Sequence, residues 1–168
     1  MSREKQTIDL KVAYDVCQAI TRREAHNFYY AFVTLPRPRR RAIYAVYSFG
    51  RLADDIVDTD GPLDDKAESL TKLRGSLHAA MAGTPDGPVM TALADVASTY
   101  DIPELLFTEI INGVEMDLVK HRYPTFEELQ GYCYRVASVV GLISTQIFGY
   151  HDEIAKRYAI DLGLAMQL

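Results

Sequence analysis

The chain has 168 residues, of which 48% are hydrophobic and 24% are charged, and its formal net charge is −5. This length and apolar content suit a single packed domain over residues 1–168 and argue against a disordered chain. The acidic balance also argues against a nucleic-acid binder.

Helical periodicity runs through nearly the whole chain, and strand signals are nearly absent. Proline, glycine and short polar turns divide the periodic segments. Thr125 followed three residues later by Glu128 has the capping-box pattern of a helix start, and Gly149 suits a helix end. We therefore predict an all-α domain with helices over residues 9–20, 22–35, 38–58, 64–81, 89–100, 103–120, 125–148 and 151–168.

The two cysteines, Cys17 and Cys133, both lie in apolar helical patterns. This placement favours buried free thiols over a disulfide and fits a reducing compartment. The N-terminus lacks the apolar core of a signal peptide, and no apolar run approaches the roughly 20 residues of a membrane-spanning helix. We expect a soluble, cytoplasmic protein, with peripheral contact to a membrane surface left open.

The last residues of the chain, 161–168, have the pattern of a helix interior. Leu164, Met166 and Leu168 are apolar residues that a natural terminus would leave exposed. We therefore expect the chain to be a fragment of a longer protein.

The helix predicted over residues 38–58 is apolar on most sides and ends in a group of acidic residues. Asp54 and Asp58 are four residues apart and share a helix face, with Arg51 one turn earlier. Carboxylates at a helix C-terminus oppose the helix dipole and repel one another. This arrangement suggests a missing divalent cation such as Mg²⁺, which prefers carboxylate oxygens. The alternative is a solvated acidic helix face.

Three further patterns have both a functional and a structural interpretation. Residues 37–41 carry four arginines, which form either a solvated turn or a basic lip that gathers anionic substrates. Glu115 and Asp117 are two residues apart, so they cannot share a helix face. Residues 132–141 place Tyr132, Val136 and Val140 on one stripe, which suits a ligand pocket or ordinary helix packing. No zinc-binding pairing, Ser-His-Asp arrangement or glycine-rich phosphate loop is present in the sequence.

Three stretches together resemble the squalene/phytoene synthase family. Residues 27–58 look like its first aspartate-rich region, through Asn27-Phe28-Tyr29-Tyr30-Ala31-Phe32 to Arg51-Leu52-Ala53-Asp54-Asp55-Ile56-Val57-Asp58. Residues 132–141, with Ser144 and Ile147, resemble its tyrosine–cysteine signature helix. Leu162-Gly163 and Gln167 resemble the opening of its second signature. Order and spacing agree over about residues 12–168.

This resemblance implies an isoprenoid synthase fold, in which helices surround a central cavity. It also implies a Mg²⁺-dependent prenyltransferase, with Mn²⁺ as an alternative ion. The reaction would be the head-to-head condensation of two farnesyl or geranylgeranyl diphosphates through a cyclopropyl intermediate to squalene, hydroxysqualene or phytoene. NADPH would be needed only for squalene formation. The implied partners are prenyl diphosphates and a membrane surface that receives the product.

The resemblance also assigns roles to individual residues. It implies metal binding at Asp54 and Asp58 with Asp55 beside them, and an acidic position near the cavity at Asp117. It implies that the catalytic residues, which contact diphosphate or line the reaction centre, are Tyr47, Arg51 and Tyr132. It implies that the substrate-binding residues are His26, Asn27, Phe28, Phe32, Val136, Val140 and Gln167.

Two features depart from the family pattern. Ala25 and Asn27 stand where serine pairs are frequent, so one diphosphate contact is lost or falls to Asn27 or His26. The chain also ends before the second aspartate-rich motif, so we predict that these 168 residues are inactive alone. Two alternatives stay open: a noncatalytic helical subunit or assembly protein on the same fold, and a head-to-tail prenyltransferase or terpene cyclase. Head-to-tail prenyltransferases and terpene cyclases lack the tyrosine–cysteine helix, so residues 132–141 argue against that alternative.

Overall fold

The computed structural model describes residues 8–120 and 122–168, without the side chains of His26 and Asn27. All regular structure in these ranges is helical, which confirms the predicted all-α class. A π-helical stretch, Tyr134–Ser138, which we call the π segment, joins two of the helices. The α-helices are α1 Leu10–Glu24, α2 His26–Val33, α3 Arg37–Asp58, α4 Leu63–Met81, α5 Pro88–Thr99, α6 Glu104–Val119, α7 Phe126–Cys133, α8 Val139–Phe148 and α9 Ile154–Gln167.

Helix α3 lies at the centre of the structure and contacts α1, α4, α5, α6 and α8. Its middle turns are apolar on every side, and residues 42–46 are all buried. Phe49 is fully buried and meets Phe107 of α6 edge-to-face, with ring centroids 5.8 Å apart. The predicted buried helix is therefore confirmed, and its acidic end reaches the surface where the packing stops.

The boundary between the first two helices differs from the prediction. Helix α1 continues to Glu24, and the break falls at Ala25 rather than between residues 20 and 22. The Ala25 amide still donates to the Thr21 carbonyl, and the Ala25 carbonyl accepts from Tyr29. Both backbone hydrogen bonds are therefore kept at the bend. After the bend, Tyr29 of α2 stacks on the buried Tyr44, with ring centroids 5.8 Å apart.

The helix predicted over residues 125–148 is divided into α7, the π segment and α8. Its start is as predicted: the amide of Glu128 donates to Thr125 Oγ1 at 3.3 Å. Its end is as predicted too, because Gly149 follows α8 with a φ of 77°. The π segment in the middle was not predicted. It lies between α6 and α9 and carries part of the cavity wall described below.

None of the described helices combines the length and apolar character that crossing a bilayer requires. Cys17 and Cys133 are buried free thiols, as predicted.

Candidate active site

A cavity of about 470 Å³ opens between α2, α3, α6, the Tyr132 turn of α7, the π segment and α8. Most of its wall is apolar, as in small-molecule sites generally. Apolar residues that line it include Phe32, Ile43, Val46, Val114, Val136 and Val140. Polar residues that line it include Tyr47, Arg51, Asp54, Asp117 and Tyr132.

Arg51 lies on α3 at the edge of the cavity and is partly buried. Its Nη2 atom donates to Asp55 Oδ1 and lies 3.9 Å from Asp58 Oδ2. Its Nε atom is buried and finds no hydrogen-bond partner among the described residues. Since a buried N–H without a partner is costly, this atom is a donor available to an anion in the cavity.

Asp54 is the cavity-facing carboxylate of the acidic cluster. Burial raises the pKa of Asp54, the charge of Arg51 opposes this, and the charges of Asp58, Asp55 and Asp117 raise it further. In the described ranges, no hydrogen bond or salt bridge reaches its oxygens. A partly buried carboxylate in that environment is a hard oxygen ligand that lacks a cation, so its chemistry fits Mg²⁺.

Asp55 and Asp58 are more exposed, and both interact with Arg51 instead of lining the cavity. Within residues 8–120 and 122–168, no group of three or more His, Cys, Asp or Glu side chains converges on a point that could hold a metal ion. Helix α3 therefore brings one of the three predicted metal ligands to the cavity wall. The ligand role of all three remains a prediction.

Tyr132 and Asp117 face each other across the junction of α6 and α7. Burial and the neighbouring Asp117 carboxylate raise the pKa of Tyr132. The phenol is therefore a neutral donor that faces a carboxylate. The structure also separates Glu115 from Asp117, because Glu115 turns away to Arg74, with a 2.6 Å salt bridge.

The substrate-binding residues predicted from the resemblance divide between two spaces. Phe32, Val136 and Val140 line the cavity. Phe28 and Gln167 line a neighbouring groove of about 670 Å³ between α8 and α9, which shares Val136 and Val140 with the cavity. Phe28 and Phe32 stack with ring centroids 6.2 Å apart, so the two spaces meet at this pair. The side chains of His26 and Asn27 lie outside the described part of the structure.

Sequence reasoning missed Tyr123, whose ring stacks on Tyr132 with centroids 5.0 Å apart. It lies in the loop between α6 and α7, where no periodic pattern indicates which side chains turn inward. Tyr47, in contrast, lies on the cavity wall as predicted. Burial raises the pKa of Tyr47, so this hydroxyl too remains a protonated donor.

Comparison with known proteins gives a consistent result. Residues 21–168 match the family model of squalene/phytoene synthase. Phytoene synthase of Mycobacterium tuberculosis is 37% identical over 159 residues, which cover 95% of this chain and 52% of the relative. The 15-cis-phytoene synthase of Synechocystis is 35% identical over 176 residues, which cover 98% of this chain and 52% of the relative.

Two solved structures share the fold. Squalene synthase HpnC from Alicyclobacillus acidocaldarius superimposes with a TM-score of 0.88 and 31% identity, over 97% of this chain and 61% of that one. A dehydrosqualene synthase solved with a ligand gives a TM-score of 0.84 and 30% identity, over 94% of this chain and 55% of that one. The chain spans about half the length of the curated relatives it matches.

Proposed function

The chain belongs to the squalene/phytoene synthase family, and we propose that its helices supply one wall of an active site that condenses two prenyl diphosphates head to head. The observation that carries this proposal is the composition of the cavity. On the wall of a mostly apolar space lie Asp54, a carboxylate without a hydrogen-bond or salt-bridge partner among the described residues, and Arg51, whose buried Nε is an unused donor. Such a space suits a substrate with an anionic head and a hydrocarbon tail.

The anionic head would be held by donors of α3. Arg51 offers Nε and can bind diphosphate oxygens in a fork once substrate competes with Asp55. The Tyr47 hydroxyl adds a neutral donor on the same wall. Together these two side chains orient the leaving diphosphate.

Asp54 is the residue that would hold Mg²⁺, with Asp55 and Asp58 close by on the same helix end. When bound, the ion supplies charge neutralisation for the departing diphosphate. Mn²⁺ has the same ligand preference and is an alternative. The carboxylates of α3 bring negative charge to the cavity edge, and Arg51 forms salt bridges with Asp55 and Asp58 there.

The apolar wall would receive the hydrocarbon chains. Loss of diphosphate leaves an allylic cation, which needs a dry space and is stabilised by aromatic faces. Phe32 and Tyr132 supply such faces, and Val136 and Val140 exclude water.

Tyr132 would take up the proton that is released when the cyclopropane ring forms. Tyr132 and Asp117 both line the cavity, and the carboxylate is close enough to raise the pKa of the phenol. The phenol oxygen can accept a proton from the substrate while its own proton moves to the Asp117 carboxylate. Loss of the second diphosphate and rearrangement of the cyclopropyl intermediate then complete the reaction, which ends with release of a second proton if the product is phytoene, or with hydride transfer from NADPH if it is squalene.

The named relatives favour phytoene as the product, and hence geranylgeranyl diphosphate as the substrate. Squalene and dehydrosqualene synthases among the structural relatives keep farnesyl diphosphate as the alternative. NADPH enters only if the product is squalene, because that reaction ends in a reduction. A hydrocarbon of this size is insoluble, so the proposal includes peripheral contact with a membrane that receives it.

The proposal is tested with a complete domain, in which this chain is joined to the C-terminal half of the phytoene synthase of Mycobacterium tuberculosis, the part of that relative that it does not cover. Incubation with Mg²⁺ and geranylgeranyl or farnesyl diphosphate should give a hydrocarbon product, and Asp54→Asn should lower turnover by about 100-fold or more. Asp86→Asn is the matched control, because Asp86 is an exposed loop carboxylate distant in sequence from α3. Unchanged turnover in Asp54→Asn would contradict the assigned role. The 168-residue chain alone should show no turnover.

A further inference from the structure

Tyr123 lies behind Tyr132 as seen from the cavity. Their rings stack with centroids 5.0 Å apart and an interplanar angle of 28°. Tyr132 lines the cavity, whereas Tyr123 is not part of the cavity wall. An effect of Tyr123 on a ligand is therefore indirect, through the Tyr132 ring that it stacks on or through Asp117, whose charge adds to burial in raising the pKa of Tyr123.

Lys120 contacts the ring of Tyr123. Its Nζ atom lies 5.2 Å from the centroid of the Tyr123 ring, within range of a cation–π interaction. The same atom forms a 2.5 Å salt bridge with Glu128 of α7. Lys120 therefore links Tyr123 to α7.

The hydroxyl of Tyr123 contributes little to this arrangement. It is buried and has no hydrogen-bond partner in the described part of the chain. Buried polar atoms are normally satisfied, and one that is not costs stability. What this position provides is therefore the aromatic ring and its contact with Tyr132.

Rotation of the Tyr132 side chain about its Cα–Cβ bond matters for the site, because it swings the ring and moves the hydroxyl relative to Asp117. Tyr132 lies in the last turn of α7, directly before Cys133 and the π segment, where the backbone hydrogen-bond pattern changes. Helix geometry therefore constrains it less than it would within a regular helix. A ring packed against its face supplies the missing constraint.

We propose that Tyr123 is a positioning residue, whose ring holds Tyr132 in the orientation that presents its hydroxyl to Asp117 and to the cavity. The catalytic consequence of this inference rests on the proposed function, whereas the positioning itself does not. The two are tested separately, the positioning in this chain and the consequence in the complete domain.

The positioning is measured by ¹³C NMR of tyrosine labelled at Cζ, whose chemical shift reports the hydrogen bond of the hydroxyl. Tyr132→Phe assigns the signal among the eleven tyrosines. Asp117→Asn calibrates the shift produced when the carboxylate acceptor is lost and the stack is kept. Tyr123→Leu should move the Tyr132 signal in the same direction as Asp117→Asn, and Tyr123→Phe should leave it in place.

Two further variants make the result decisive. Lys120→Met removes the cation and keeps both rings, so it should give a smaller shift in the same direction. Tyr30→Leu, at an exposed tyrosine of α2, should give none. A Tyr132 signal that is unchanged in both Tyr123→Leu and Lys120→Met would overturn the inference.

In the complete domain, Tyr123→Leu should lower kcat by about tenfold with KM changed less than about twofold, since a misplaced catalytic group affects the chemical step. Tyr123→Phe should retain most of the wild-type kcat and unfold at an equal or higher temperature. An active wild type with an equally active Tyr123→Leu variant would overturn the inference. A wild type inactive on every prenyl diphosphate, with the NMR shifts as expected, would overturn the proposed function and leave the positioning intact.

Discussion

Gly163 of α9 lies directly against the backbone of Ser138 in the π segment. A Cβ atom at position 163 would lie 2.5 Å from Ser138 Cα and 2.6 Å from its amide nitrogen. The Ser138 hydroxyl donates to the Ile160 carbonyl at 2.8 Å and closes the same contact. Because the π segment carries Val136, this close approach fixes part of the cavity wall.

Gly163→Ala should therefore destabilise the fold by about 1–3 kcal/mol, the usual cost of overpacking a rigid contact. The obstructing atoms are backbone, so they cannot rotate away. Gly75→Ala is the matched control: Gly75 lies inside α4, and a Cβ there meets nothing within 4 Å. That change should stabilise by about 0.5–1 kcal/mol through helix propensity. Urea unfolding measures both, and equal midpoints for Gly163→Ala and wild type would contradict the prediction.

Arg135 ties the π segment to α6 on the opposite side. Its Nε atom lies 3.0 Å from Glu109 Oε2, and its Nη1 donates to the Gly131 carbonyl at 2.9 Å. Both side chains are largely covered, so solvent screens this pair less than an exposed one. A double-mutant cycle with Glu109→Gln and Arg135→Met should give a coupling of about 1 kcal/mol.

The control cycle is Glu68→Gln with Lys72→Met, an exposed pair on α4. It should give a smaller coupling that disappears in 0.5 M salt, whereas the Glu109–Arg135 coupling should persist. Equal couplings for the two pairs, with equal salt sensitivity, would show that Arg135 is only a surface partner.

Much of the fold follows from local patterns. The apolar run before Arg51 predicts a buried α3, because helix period and side-chain polarity are set residue by residue. The Thr125 cap and Gly149 are found as expected for the same reason. The π segment is different, since it depends on Gly163 and Gly113 allowing neighbouring helices to approach. A Cβ at Gly113 would lie 2.9 Å from Val136 Cγ1.

The same distinction holds for the candidate site, where some features follow from sequence patterns and others depend on packing and side-chain rotation. The family resemblance brings Tyr47, Arg51, Asp54 and Tyr132 to one cavity, and the structure places all four on its wall. Helix period alone could not show that Asp58 turns to Arg51, because that choice is made by side-chain rotation. Tyr123 lies in a loop, where neither period nor motif spacing indicates its contact with Tyr132.

Cys17 predicts a pH dependence of stability in the alkaline range. Its side chain is fully buried, and burial raises the pKa of the Cys17 thiol from 9.0 to about 11, against a weaker opposing effect of Ser48. In the unfolded chain the thiol ionises near pH 9, whereas in the folded chain it stays protonated until about pH 11. Ionisation therefore favours the unfolded state between these values.

The free energy of unfolding of wild type, relative to Cys17→Ala, should be constant below pH 9 and fall by about 2–3 kcal/mol between pH 9 and pH 11. The comparison with Cys17→Ala cancels the tyrosines, which titrate in both proteins. Urea unfolding at half-unit pH intervals measures the difference. Parallel curves up to pH 11 would show that the thiol is solvated in the native state.

The position of the Phe32 ring predicts how long a hydrocarbon chain the cavity accepts. Its ring lines the cavity and is held between Phe28, at 6.2 Å, and the buried Tyr44, at 6.3 Å edge-to-face. Because Tyr44 is held in the core, Phe32→Ala should leave open space beside it that the structure does not refill. A longer hydrocarbon chain gains apolar contact there, and each added methylene group in a fitted pocket contributes about 1 kcal/mol.

In the complete domain, Phe32→Ala should raise the ratio of kcat/KM for geranylgeranyl over farnesyl diphosphate by about tenfold, a value within reach of one or two methylene contacts. The measurement is a competition assay with both substrates and Mg²⁺ in one vessel. Tyr30→Ala is the control, because Tyr30 is on the same helix and is 76% exposed. It should leave the ratio unchanged. If both variants shift the ratio equally, the effect comes from loosening α2, and Phe32 does not set the length of the cavity.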